Sequence, residues 1–166
     1  MRYETKLRTA WGDELYSVHE KLIQADQFSV CFPHEHEMQD SKEFAKIMLS
    51  YNHAYIVSYD NIDCGFIWIN RWEHRTARLN FAVFQTPCLL RFPMIMSECA
   101  EILINLKSDD TNYLYDCLFG LIESDNYNAI RAAEHAGLTK TGMIPNYYGE
   151  DLHVLIYSKT RKEKAA

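Results

Sequence analysis

Apolar residues recur along this chain with two alternating periods, and the switches between them mark the elements. A short opening strand is expected around Tyr3–Leu7. After Gly12-Asp13, Leu15, Val18, Leu22 and Ile23 fall at helical spacing. The Phe28–Met38 stretch, interrupted by Pro33, reads as loop, and Asp40 or Ser41 is placed to cap a second helix carrying Phe44, Ile47, Met48 and Leu49. Two β-rich runs follow, Ala54–Tyr59 and Gly65–Asn70, joined by the polar turn Asp60-Asn61-Ile62-Asp63. A third run, Ala77–Phe84, comes after a polar turn over Arg71–Arg75 and sets Leu79, Phe81 and Val83 against Asn80 and Ala82.

The second half repeats the logic with parallel-sheet spacing. Pro93 suits a first helical turn, and Ile95, Cys99, Ile102, Leu103 and Leu106 make an apolar stripe behind it. Tyr113–Ile122 is nearly all apolar, as a strand buried on both faces would be. The helix Asn126–His135 has capping groups before it, Ala129, Ile130 and Ala133 on one face, and Gly137 as its stop. Leu138–Met143 and Leu152–Ser158 are the closing strands, separated by Pro145–Glu150. The order is β-α-α-β-β-β-α-β-α-β-β. It specifies an α/β (α+β) class with a mixed, mostly antiparallel twisted sheet flanked by helices.

Length and composition narrow this to one unit. The 166 residues are 48% hydrophobic and 24% charged with 4 prolines, and no Gly/Ser/Pro-rich linker divides them. A single domain over 1–160 is expected, followed by a charged tail over 161–166. Seventeen basic against 23 acidic side chains give a net charge of -6, which disfavours nucleic acid and anionic lipid as partners. The five cysteines, at 31, 64, 88, 99 and 117, are odd in number and lie mostly in apolar runs, as reduced core thiols would. No apolar leader or membrane-length run is present, so a cytoplasmic protein is the expectation.

Residues Glu123–Leu138 contain Asn126, Ala129 and Ile130 followed by a helix ending at Gly137-Leu138. This resembles the Asn-x-x-Ala/Ser-Ile pattern, with a helix ending in Gly-Phe, that follows the fifth strand of GNAT N-acetyltransferases. The element order is similar, and Tyr148–Tyr157 looks like the family's last hairpin strand. The resemblance implies an acyltransferase moving an acetyl or acyl group from acetyl-CoA, or another acyl-CoA, to an amine on a small molecule or protein. A second copy of the chain is the other expected partner. It further implies that backbone groups near Phe81, Val83 and Phe84 pair with the pantetheine amides, that Asn126 and Ala129 lie beside the cofactor, and that Arg91 neutralises its phosphates.

Two departures from the family pattern stand out. The family holds the coenzyme pyrophosphate with Arg/Gln-x-x-Gly-x-Gly/Ala, where glycines let backbone amides reach the anion at a helix N-terminus. No glycine occurs here between Gly65 and Gly120, whether the motif is read from Gln85 or from Arg91. The Tyr that commonly protonates the departing thiolate, four residues before the helix-ending Gly, is Ala133. An inactive GNAT-fold protein with a binding or structural role, such as a bacteriophage virion or accessory protein, is therefore the alternative. A non-enzymatic acetyl-CoA sensor would look the same in sequence.

For catalysis, a base must lie near the acceptor amine. Glu123, Glu73 and His74 are the candidates, although a charge in such a place is more often a solvated turn charge. Asp116 reads as a strand-edge carboxylate. His34-Glu35-His36-Glu37 lacks the further ligands a metal site needs, so no metal is expected; in this fold that loop borders the acceptor site, where His34, Glu35 and Glu37 would meet a basic acceptor. Tyr147 and Tyr148 are candidates for the same site, and Trp68 and Trp72 are readable as pocket walls or as packing.

Overall fold

A computed structural model describes residues 4–32, 38, 40–50, 53–84, 91–147 and 149–161, without the side chains of 71 and 72. Among them the chain forms β1 (Thr5–Thr9), α1 (Asp13–Gln24), α2 (Phe28–Cys31), α3 (Ser41–Ser50), β2 (Ala54–Tyr59), β3 (Ile62–Glu73), β4 (Thr76–Val83), α4 (Phe92–Ile104), β5 (Cys117–Glu123), α5 (Tyr127–His135), β6 (Thr139–Ile144) and β7 (Val154–Thr160). The strands are ordered β1-β2-β3-β4-β5-β7-β6. The β4–β5 pair is parallel, whereas β1–β2, β2–β3, β5–β7 and β7–β6 are antiparallel. The mixed, mostly antiparallel sheet and the element order agree with the sequence pattern. No described helix is long and apolar enough to cross a membrane.

By contacts the chain divides into two compact units, residues 1–70 with 80–91, and residues 71–79 with 92–166. In the first, α1 buries Leu15, Val18 and Leu22, and α3 buries Phe44, Ala45 and Met48. These pack with Ile56, Phe66, Trp68 and Ala82 into one core. Trp68 stacks on Phe32 at 4.9 Å and on Phe66 at 5.6 Å, which makes it a packing residue. Asp40 caps α3, its Oδ1 accepting the N–H groups of Lys42 (2.8 Å) and Glu43 (3.2 Å). His19 is buried, and because its Nε2 lies 3.0 Å from the Met38 carbonyl, that nitrogen carries the proton. Asp60 and Asn61, with φ of 53° and 64°, close the β2–β3 hairpin.

In the second unit, β5 alternates buried Leu118, Gly120 and Ile122 with half-buried Cys117, Phe119, Leu121 and Glu123. On β7, paired beside it, Val154, Leu155 and Tyr157 are buried. Helix α4 buries Ile95, Met96, Cys99, Ala100, Leu103 and Ile104 and contacts α5. The end of α5 is a Schellman motif: Leu138 N–H reaches the Ala133 carbonyl, Gly137 N–H reaches that of Glu134, and Gly137 takes φ 78°.

Three local expectations are corrected. Phe28–Met38 is not all loop, because Asp26 at φ 54° ends α1 and a four-residue helix over Phe28–Cys31 follows, setting the Phe28 and Phe32 rings 5.3 Å apart. The Arg71–Arg75 turn is shorter than its polarity suggests, since β3 continues to Glu73 and His74, at φ 54°, makes the reversal. Tyr113–Ile122 is not one strand. Its first part bridges back from Tyr113 to Lys107, and β5 begins at Cys117, after Asp116 has turned its carboxylate to Arg75 and Arg161.

Candidate functional site

In the first unit Phe81 and Val83 lie on β4, and Phe84 directly follows it. Phe84 N–H donates to the Cys64 carbonyl at 2.8 Å, and a Cβ on Gly65 would sit 2.8 Å from the Ala82 carbonyl oxygen. Ala82 and Phe84 thus turn their backbone groups to β3, and by strand alternation Phe81 and Val83 turn theirs the other way. The Cys31 thiol approaches the Phe81 carbonyl at 4.0 Å. Burial pushes that thiol up to about 12, so it stays protonated at neutral pH.

Arg91 directly precedes α4, and Pro93 lies in that helix's first turn. Its Nη1 donates to the Tyr59 hydroxyl at 2.5 Å, and the guanidinium lies 5.6 Å from the Tyr59 ring centre. Arg91 is the only basic residue between Arg78 and Lys107 in the sequence. It is therefore the one cation that segment offers an anion at the head of α4. Residues 85–90, where the family's glycines would stand, are outside the described residues. So are His34, Glu35, Glu37 and Tyr148.

In the second unit the parallel register separates the base candidates. Thr76 pairs with Cys117, so Glu73 and His74 lie at the end where β5 begins, both exposed. Glu123 is six residues further along β5, about 20 Å at the usual rise of roughly 3.3 Å per residue. It is half-buried, pairs with Val154, and shares a sheet face with Leu121 and Phe119. Glu73 and His74 are thus not brought together with Glu123, Asn126 and Ala129.

Asn126 is the N-cap of α5, with its Oδ1 accepting the Ala129 N–H at 3.1 Å. That bond occupies the Asn126 carbonyl and the Ala129 amide, so the Asn126 Nδ2 is the group it has to present. Tyr147 stands in the β6–β7 turn, 38% exposed. The sequence reading missed His153 at the same end of β5. Its carbonyl accepts the Ser124 N–H at 2.9 Å, and its Nδ1 accepts the Asn146 N–H at 3.2 Å. Its only sequence signal was its position just before the last strand, which carries no chemistry until the turn is folded. Among the described residues no group of three or more His, Cys, Asp or Glu is placed to hold a metal.

No family model matches the chain, and no curated protein matches it. Solved structures do. Aminoglycoside acetyltransferase AAC(6')-Ib in complex with coenzyme A superposes with a TM-score of 0.72 at 15% identity, over 95% of this chain and 95% of that one. The acetyl transferase from Salmonella typhimurium that modifies the N-terminal serine of a 50S ribosomal subunit protein gives 0.71 at 15% identity, over 95% of each chain. A ribosomal alpha-N-protein acetyltransferase in complex with coenzyme A gives 0.68 at 14% identity, over 94% of this chain and 93% of that one. With nearly the full length of each chain superposed, this protein has the fold of the GNAT N-acetyltransferases.

Proposed function

We propose that this chain is an acyl-CoA-dependent N-acyltransferase with an atypical cofactor phosphate contact. The observation that carries the reading is full-length likeness to acetyltransferases solved with coenzyme A, combined with Arg91 at the head of α4. Acyl-CoA supplies the activated thioester. The outward backbone of Val83 is suited to pairing with an extended amide-bearing chain, which needs no particular side chain. Arg91 provides charge for phosphate, and Asn126 Nδ2 a donor at the start of α5.

Glu123 is the base we assign, because it alone of the three carboxylate and imidazole candidates stands at the carboxyl end of β5. Its role is to take a proton from the attacking amine, directly or through water. The acceptor is an amine, to which the exposed Glu150 and Asp151 of the β6–β7 turn offer negative charge. The reading as an inactive binding or structural protein draws on one specific fact, the absence of glycine from 66 to 119.

Calorimetry with acetyl-CoA separates the two. Arg91→Ala is expected to weaken binding about tenfold, roughly 1.4 kcal/mol. Asn126→Asp keeps an oxygen to cap α5 while removing the Nδ2 donor, and should also weaken binding. Glu123→Gln should leave binding intact and lower acetyl transfer to an amine panel by about a hundredfold. No binding at millimolar acetyl-CoA would leave the inactive reading in place.

A further inference from the structure

The turn between β6 and β7 is held in a conformation that its sequence alone does not favour. Asn146 and Asp151 take φ of 52° and 65°, the left-handed region that L side chains rarely adopt, and Gly149 takes 134°. Such geometry persists where other bonds fix it. Here the bonds run in series. Asn146 N–H donates to His153 Nδ1 at 3.2 Å, and Asp151 N–H donates to Asn146 Oδ1 at 3.2 Å. His153 is itself tied to the end of β5, since its carbonyl accepts Ser124 N–H at 2.9 Å and the next residue, Val154, pairs with Glu123. Both non-glycine residues in strained backbone therefore depend, directly or at one remove, on a single imidazole nitrogen.

We propose that His153 is a positioning residue whose Nδ1 holds the β6–β7 turn, and with it Tyr147, beside the end of β5 where the acceptor amine is to be recognised. An imidazole nitrogen that accepts a backbone N–H carries no proton, so His153 is the neutral tautomer protonated at Nε2. Protonating Nδ1 would set two donors against each other and release Asn146.

The role in acceptor recognition rests on the transferase reading, whereas the holding of the turn does not, and the experiment keeps them apart. Asparagine places its Oδ1 near the position of a histidine Nδ1, whereas glutamine places its amide near Nε2. Hydrogen exchange of the Asn146 amide is followed by NMR on the full chain at about pH 7.5, with the Gly120 and Tyr157 amides as fold controls. Wild type and His153→Asn should protect that amide alike, and His153→Gln should lose about tenfold protection. Equal Asn146 protection in all three proteins overturns the proposal. In steady-state assays at the same pH, His153→Gln should raise the acceptor KM about fivefold with kcat within about twofold, and His153→Asn should restore it. An unchanged KM in His153→Gln overturns the recognition role. The expected exchange pattern in a chain that neither binds acetyl-CoA nor transfers an acyl group would uphold the holding of the turn and overturn the transferase reading instead.

Discussion

Gly65 is constrained by packing rather than by turn geometry. A Cβ there would meet the Ala82 backbone oxygen at 2.8 Å, and a backbone atom cannot swing aside as a side-chain end can. Gly65→Ala is therefore expected to destabilise the protein by about 1–3 kcal/mol in urea unfolding, the usual cost of forced overpacking. At this scale the sequence is legible where a residue acts on its own neighbours. Asn126 and Gly137 carry the GNAT resemblance, and both turn out to be helix-end residues, one accepting the Ala129 N–H and the other ending α5 at φ 78°. Capping explains why those residue types are there whether or not a cofactor is ever bound. His153 was illegible because its partner, seven residues back, is a backbone amide that any residue but proline would supply.

Elements were legible where a cap or a tight turn agreed with the hydrophobic period. Ala54–Tyr59 was read with its observed bounds, as a run of β-formers ended by Asp60-Asn61. The start of β5 was not, because Tyr113, Leu114 and Tyr115 are as apolar as the strand they precede. What separates them is the ion pairing of Asp116 with two arginines distant in sequence. Caps also give the cleanest element-scale test. Asp40→Ala removes an acceptor used by two N–H groups of α3 and should cost about 1 kcal/mol, and Asn126→Ala about the same at α5. Asn126→Asp should cost little, because it retains the oxygen. Guanidinium unfolding of the three variants checks this, and a full loss in Asn126→Asp would show that the amide nitrogen, rather than the cap, is what α5 needs.

At the scale of the molecule, the element order was enough to reach the fold, but nothing in composition marks the division into two compact units. Of the three places where the chain passes between them, two fall inside strands, β3 after Asn70 and β4 after Leu79, and the third lies between Arg91 and Phe92. A strand cannot keep half its ladder while the other half melts without exposing unpaired backbone, so the two units should unfold in one transition. Leu118, fully buried in the second unit, and Trp68, buried in the core of the first, provide the means to check it. Leu118→Ala should cost about 2–5 kcal/mol by cavity formation. In a chain also carrying Trp11→Phe and Trp72→Phe, the loss should appear equally in circular dichroism and in Trp68 emission. A Trp68 midpoint that stays put while the dichroism transition broadens would mean that β4 does not couple the units.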